Sequence, residues 1–231
     1  MKLTYHGHSF FEIAGKSGTI LIDPFITGNA QASHIKAADF KDVTAILVTH
    51  GHGDHFGDTL EISQNTGALV IGVAELAKYC AKMGAASHRM HIGGKYQFPF
   101  GTVKLTQAIH GSAFDVNGQS IYAGLACGFI IQMDGLCLYH AGDTGLFGDM
   151  ELIGRFNPID LAMIPIGDNY VMGPEDAAYA CKLLKAKQVI PMHYNTFPEI
   201  RQDVNEFIQL LKKESPDTNA LPLQPGQSMS L

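Results

Sequence analysis

The stretch T-H-G-H-G-D-H-F-G, residues 49–57, places three histidines and one aspartate within six consecutive positions. One short loop can therefore direct the side chains of His50, His52, Asp54 and His55 at a single point. Imidazole and carboxylate are the ligands that zinc and similar divalent metals prefer. The glycines between the ligands leave the backbone free to turn. The pattern H-x-H-x-D-H thus predicts a metal site rather than a solvated histidine-rich loop.

Other strand-like runs in the chain also end at ionisable residues. Ala45–Thr49 is a short apolar, β-branched run that leads directly into His50. Four further runs of this type lead to an acid or a histidine, namely Asp23, His110, Asp143 and His193. Because open α/β sheets bind ligands at the carboxyl ends of their strands, these side chains are predicted to meet at one site.

The order of these residues along the chain resembles the order of the motifs in the metallo-β-lactamase-fold superfamily of metal-dependent hydrolases. The resemblance covers nearly the whole chain. It implies two divalent metal ions per chain. The first would be held by three histidines, His50, His52 and His110. The second would be held by Asp54, His55 and His193, with Asp143 bridging the two ions. Asp23 would support the ligand loop from behind without binding metal.

Shorter phrases indicate a branch of the superfamily. They are Gly7-His8-Ser9 and the stretches 140–144 (HAGDT), 172–176 (MGPED) and 191–198 (PMHYNTFP). These look like the broadly distributed metal-dependent hydrolases of unassigned substrate. Their layout is similar to that of ascorbate-6-phosphate lactonases and N-acyl-phosphatidylethanolamine phospholipases D.

Three differences from other branches of the superfamily reduce the number of activities expected of this chain. Asp58 stands where the tRNA 3′-processing enzymes usually carry glycine. His52 stands where flavodiiron oxygen reductases carry glutamate. The cysteine that zinc β-lactamases of the best-known subclass use on the second metal has no counterpart here. Each of these three activities is therefore disfavoured.

The fold that the resemblance implies is an α/β (α+β) protein, a four-layer αββα sandwich of two mixed β-sheets. Alternating strands and helices alone would also permit a doubly wound sheet. One domain, residues 1–231, is expected because the ligands span residues 50–193 and must meet. Residues 18–23 and 135–140 are faintly alike, which is consistent with the superfamily's pseudo-two-fold symmetry.

Composition agrees with a soluble enzyme, and a cytoplasmic location is the default expectation. Hydrophobic residues make up 46% of the 231-residue chain, enough for a sizeable core. The net charge of −6 argues against a nucleic-acid partner, which needs a basic surface. The four cysteines form no metal-binding spacing, and no apolar run is long enough to insert into a membrane. The oligomeric state is left open, and a homo-oligomer is compatible with the sequence.

The expected chemistry is hydrolysis of a small-molecule ester, lactone or phosphoester by a hydroxide that bridges the two ions. Zinc is the first expectation for the metal, with manganese or iron as alternatives. Asp54 is expected to orient the hydroxide as well as bind metal. One alternative is a mononuclear iron oxidoreductase acting on sulfur or oxygen species. Nucleic-acid processing is the other.

Residues around the ligands are assigned more general roles. His8, in the first predicted hairpin turn, is expected to contact the substrate or donate a proton, and a structural turn histidine is the alternative. His140 is expected to be a partly buried histidine with backbone partners, and a role in orienting the loop of Asp143 from behind is the functional alternative. Four residues on two loops are predicted to line the substrate pocket: Asn169, Tyr170, Asn195 and Thr196.

Overall fold

Two seven-stranded β-sheets form the centre of the structure, a computed structural model that describes residues 1–231. In chain order the strands are β1 (Lys2–Gly7), β2 (Phe10–Gly15), β3 (Gly18–Ile22), β4 (Ala45–Leu47), β5 (Leu69–Val73), β6 (Ser87–Met90), β7 (Lys95–Phe98), β8 (Gly101–Gln107), β9 (Ala113–Val116), β10 (Gln119–Tyr122), β11 (Cys127–Met133), β12 (Leu136–His140), β13 (Leu161–Pro165), β14 (Gln188–Met192), β15 (Asn219–Ala220) and β16 (Ser228–Ser230). Strands β9 and β10 form a separate hairpin.

Both sheets are mixed, and they follow the same pairing pattern. The first has the order β16-β1-β2-β3-β4-β5-β6 and the second β7-β8-β11-β12-β13-β14-β15. In each, the first three pairings are antiparallel and the last three are parallel. In this correspondence β3 is equivalent to β12, the two segments that are faintly alike in sequence.

Helices cover the outer faces of both sheets. They are α1 (Gly53–Phe56), α2 (Thr59–Thr66), α3 (Ala74–Lys82), α4 (Met150–Phe156), α5 (Pro174–Leu184) and α6 (Val204–Glu214). Helices α2 and α3 contact the first sheet, while α5 contacts β13 and is flanked by α4 and α6. The predicted four-layer αββα sandwich is confirmed. None of these helices is both long and apolar enough to cross a membrane.

The buried apolar residues form two clusters that are separated by the second sheet. Alternate residues of a strand point to opposite faces. In β12, Leu138 therefore joins the 40-residue cluster that includes residues of both sheets, while Cys137 and Tyr139 join the 21-residue cluster under α5 and α6. Because both faces are covered, the strand is apolar throughout rather than alternating.

Helix α5 follows its sequence signals closely. Pro174 occupies the first turn, where its fixed φ suits a helix start. Four small or apolar residues recur at helical spacing along it and are all fully buried, namely Ala177, Ala180, Cys181 and Leu184. Helix α6 begins at Val204, because Pro198–Ile200 forms a separate 3-10 turn and the Asp203 side chain caps the helix by accepting from the Asn205 N–H.

The packing of the outer helices predicts a large difference in stability between substitutions of two phenylalanines. Phe207 on α6 is fully buried, whereas Phe156 on α4 is 71% exposed. We expect Phe207→Ala to lower the free energy of unfolding by about 3–5 kcal/mol, because it removes buried area and leaves a cavity. Phe156→Ala, the matched control, should change it by at most about 0.5 kcal/mol. Urea unfolding followed by circular dichroism measures both; equal losses would contradict the assigned packing of α6.

Candidate metal centre

All of the predicted ligands lie at one edge of the sandwich, beyond the carboxyl ends of strands from both sheets. Strand β4 leads into the loop of His50 and His52, and α1 carries Asp54 and His55. The second sheet contributes the remaining ligands after β8, β12 and β14, namely His110, Asp143 and His193. His50, His55, Asp143 and His193 are buried, while His52, Asp54 and His110 are partly exposed.

The ligand atoms form three overlapping groups, and within each group they lie within 4.8 Å of one another. The first group is His50, His52 and His110. The second is His8, Asp54, His55 and His193. The third is His50, His55 and Asp143, which joins the other two. The structure thus brings all seven predicted ligands together and adds His8 to the second group.

Asp143 lies between the histidines. Its Oδ1 is 3.2 Å from His55 Nε2, and its Oδ2 is 2.9 Å from His193 Nε2 and 3.6 Å from His110 Nε2. On the far side, His52 Nδ1 is 3.0 Å from His50 Nε2 and 3.3 Å from His110 Nε2. One carboxylate therefore contacts histidines from both sheets.

The arrangement fits divalent metal ions. Three buried polar atoms at the centre have no hydrogen-bond partner, although they lie close to one another. They are His55 Nε2, His193 Nε2 and Asp143 Oδ1. Buried polar atoms without partners are costly, so their convergence on one point calls for a group that accepts several lone pairs. Imidazole nitrogens and carboxylate oxygens are suitable donors to zinc, manganese or iron.

Asp23 orients two of the histidines without facing the centre itself. Its Oδ2 is 2.7 Å from His55 Nδ1 and accepts from the Thr49 hydroxyl at 2.7 Å, while its Oδ1 accepts from the Thr49 N–H at 2.8 Å. Because that hydroxyl donates to Asp23, its oxygen is left to accept from His50 Nδ1, 3.0 Å away. Both rings thus direct Nε2 at the centre, the usual way in which a supporting carboxylate fixes a histidine ligand.

Charge and burial set the protonation of the site. Burial alone raises the pKa of Asp143, but His193 and His55 outweigh it and hold that pKa well below the usual range. Burial lowers the pKa of His55, yet Asp143 and Asp23 raise it well above its ordinary value. Burial lowers the pKa of His50 well below 6.5. Burial therefore favours the neutral, metal-binding form of His50, whereas the two carboxylates favour the protonated form of His55.

His140 holds the loop that carries Asp143. Its Nδ1 accepts from the Gly142 N–H at 3.1 Å, so its Nε2–H donates to the Ser9 carbonyl, also at 3.1 Å. The ring is fully buried, and burial lowers its pKa. It therefore connects the β1–β2 turn of the first sheet to the Asp143 loop of the second.

The open side of the centre is a cleft of about 250 Å³, lined by His52, Asp54, His110, Asp143, Tyr170 and His193. Of the four residues predicted to line a pocket, only Tyr170 does so. Asn169 is exposed outside the cleft, and the Asn195 side chain bonds the backbone of Gln202 at both its ends. Thr196 contacts His8 instead.

Sequence reasoning missed Thr49 and Thr144 as supporting residues. The Thr144 hydroxyl oxygen accepts from the Ile109 N–H at 2.9 Å, and its carbonyl accepts from the Met172 N–H at 3.0 Å. Thr144 thus connects the Asp143 loop by hydrogen bonds to the loops that carry His110 and Tyr170. The signal was present in the sequence, because each threonine directly adjoins a predicted ligand.

The fold and the site define a metal-dependent hydrolase of the metallo-β-lactamase superfamily, and the chain belongs to that family. Residues 18–194 match the family described as "Beta-lactamase superfamily domain". The family resemblance inferred from the sequence is therefore confirmed.

Individual relatives agree over the full length. The chain is 58% identical to a UPF0173 metal-dependent hydrolase of Desulfitobacterium hafniense, over 99% of this chain and 98% of that one. It is 53% identical to a UPF0173 metal-dependent hydrolase of a Geobacillus species, over 100% of both chains. Among solved structures it is similar to Igni18, a metallo hydrolase of the archaeon Ignicoccus hospitalis, with a TM-score of 0.89, 38% identity, and coverage of 99% of this chain and 97% of that one.

The contacts of Asp23 generate a prediction. We expect Asp23→Asn to weaken zinc binding about 10- to 100-fold, because the amide cannot accept from both His55 and Thr49. Chelator competition measures the affinity, and circular dichroism checks that the variant folds. Asp217→Asn, at an exposed position, is the control and should bind zinc like the wild type. Unchanged affinity in a folded Asp23→Asn protein would contradict the supporting role.

Proposed function

We propose that the chain is a single hydrolase domain, residues 1–231, that binds two divalent ions and cleaves a small ester, lactone or phosphoester. The observation that carries the proposal is the pair of ligand groups joined by Asp143. In this assignment His50, His52 and His110 hold one ion, and Asp54, His55 and His193 hold the other. Asp143 is shared because its two oxygens face histidines of both groups.

The residues of the cleft have separate parts in this chemistry. Two bound ions would supply a water that ionises near neutral pH and a Lewis acid for the developing negative charge. Burial raises the pKa of Asp54, but His55 and His8 outweigh it and hold that pKa well below the usual range. Asp54 is therefore ionised at the cleft, where its carboxylate can accept a hydrogen bond from the attacking water and orient it. The other five cleft residues are assigned to the metal ions, so Tyr170 is the cleft residue that is available to contact the substrate.

The size and charge of the cleft favour a small substrate. Its volume of about 250 Å³ is slightly smaller than the range of roughly 300–1,000 Å³ that is typical of ligand pockets. No lysine or arginine lines it, and the net charge of the chain is −6. A nucleic acid, which needs a basic surface, is disfavoured on both grounds. The convergence of all seven ligands also favours two ions over the mononuclear iron alternative.

Metal content tests the assignment of two ions. By elemental mass spectrometry the purified protein should hold about two ions per chain, and His50→Ala and His193→Ala should each hold about one, because each variant loses a ligand of a different ion. His91→Ala, at an exposed histidine, is the control and should retain both. One iron per chain, unaffected by His193→Ala, would contradict the proposal and support the oxidoreductase alternative.

Hydrolysis tests the role of Asp54. On a panel of neutral lactones, aryl esters and phosphodiesters, we expect Asp54→Asn to lower kcat/KM of the best substrate about 10²- to 10⁴-fold, because the amide no longer orients the water as a carboxylate does. A pH indicator or released chromophore reports the rate. Asp217→Asn serves as the exposed control. Wild-type turnover by Asp54→Asn would refute the assigned role.

A further inference from the structure

His8 occupies the turn between β1 and β2, and its backbone is held in an uncommon conformation. Its φ is 56°, in the left-handed region that few residues other than glycine adopt. Three hydrogen bonds fix it there. The His8 N–H donates to Gln31 Oε1 at 2.9 Å, and the His8 carbonyl accepts from the Tyr5 hydroxyl at 3.1 Å and from the His193 N–H at 2.8 Å. The turn is thus bonded directly to the backbone of a predicted metal ligand.

The His8 ring is fully buried beside the second ligand group. Its centroid lies 4.0 Å from that of His193, 5.5 Å from that of Phe197 and 5.6 Å from that of Phe25. The ring has no exposed surface and does not line the cleft. A substrate in the cleft therefore cannot reach it, so the expected substrate contact is not available to this residue.

Both ring nitrogens of His8 are engaged. Nδ1 lies 2.9 Å from Thr196 Oγ1, and Nε2 lies 3.1 Å from Asp54 Oδ2. An unprotonated Nε2 would face a carboxylate oxygen with its lone pair. A proton on Nε2 turns the same contact into a hydrogen bond and leaves Nδ1 to accept from the Thr196 hydroxyl.

We propose that His8 is a positioning residue for Asp54, within a hydrogen-bonded relay in which Thr196 donates to His8 and His8 donates to Asp54 Oδ2. The relay fixes the rotation of the Asp54 carboxylate, so that Oδ2, which lies 3.8 Å from His193 Nε2 and 4.0 Å from His55 Nε2, keeps a second lone pair directed at the second ion. It connects the β1–β2 turn, the loop after β14 and helix α1. The inference deepens the proposed function and rests on it, because Asp54 is taken as a ligand of that ion.

Another role for the same atoms gives a different expectation. A ring nitrogen of His8 lies within 4.8 Å of the candidate ligand atoms of Asp54, His55 and His193, so His8 could itself be a ligand through Nε2, the nitrogen that faces Asp54. That would require Nδ1 to carry the proton and Thr196 to accept it. In the relay, Nε2 acts only as a donor, and removing it leaves the number of coordinating imidazoles unchanged.

Affinity for the second ion tests the relay with the zinc-loaded full chain and chelator competition. We expect His8→Ala to weaken that ion about 10- to 100-fold and to leave the first ion unchanged, as loss of a residue supporting a ligand does elsewhere. His8→Gln should restore much of the loss, because its amide nitrogen can reach the position of Nε2. Thr196→Val should weaken the same ion, and adding it to His8→Ala should cause no further loss, since both act through one relay.

Matched controls and a ligand count complete the test. His91→Gln and Thr102→Val, on residues outside the site, should bind both ions like the wild type. X-ray absorption of the cobalt-substituted protein should give the same imidazole count for wild type and His8→Gln. The loss of one imidazole in His8→Gln would make His8 a ligand and overturn the relay. Wild-type affinity in His8→Ala and Thr196→Val would overturn it too.

Asp54→Asn separates this inference from the proposed function. If Asp54→Asn leaves metal affinity unchanged, the ligand assignment is wrong, and the relay is overturned with it. If Asp54→Asn weakens the second ion but neither His8→Ala nor Thr196→Val does, the proposed function stands and the relay alone is overturned.

Discussion

The carboxylate of Asp143 is fully buried, and the geometry of the site depends on how its charge is balanced. An isolated buried carboxylate would be too costly to remain ionised. Here His55, His193 and His110 surround it at 2.9–3.6 Å. These histidines follow segments from different sheets, so they reach the carboxylate only where the two sheets meet at this edge. The electrostatic requirement and the packing of the sandwich therefore determine the same geometry.

The matching pairing patterns of the two sheets explain which residues support the centre from behind. Strands β3 and β12 occupy equivalent places, and each is followed or ended by a supporting residue. Asp23 holds Thr49 and His55, while His140 holds Gly142. The equivalence ends one strand later. The loop after β4 carries four predicted ligands, whereas the loop after β13 carries Tyr170 at the cleft. The first sheet thus supplies four of the seven predicted ligands from one segment, whereas the second sheet supplies the other three from separate loops and adds Tyr170 to the wall of the cleft.

The sequence predicted what is encoded locally. The H-x-H-x-D-H loop, the apolar strands and the buried stripe of α5 each lie within one continuous segment, so spacing alone reveals them. Contacts between distant segments left no such pattern, as with Thr196 and His8, 188 positions apart. The hairpin of β9 and β10 was missed for a different reason. All four residues of β10 are exposed, and without a buried face a strand has no alternation to detect.

Backbone strain is concentrated at the same edge as the ligands. Six of the nine non-glycine residues with positive φ lie at or beside the site: His8, Asp23, Asp168, Asn169, His193 and Asn195. Such conformations persist only where surrounding contacts over-determine them. At His193 a φ of 56° turns the chain sharply after β14, and the bond from its N–H to the His8 carbonyl holds that turn. Each of these two strained histidines is therefore held by the other. A local substitution that relaxed His8 would also release His193, so the two conformations are best understood as one structural unit.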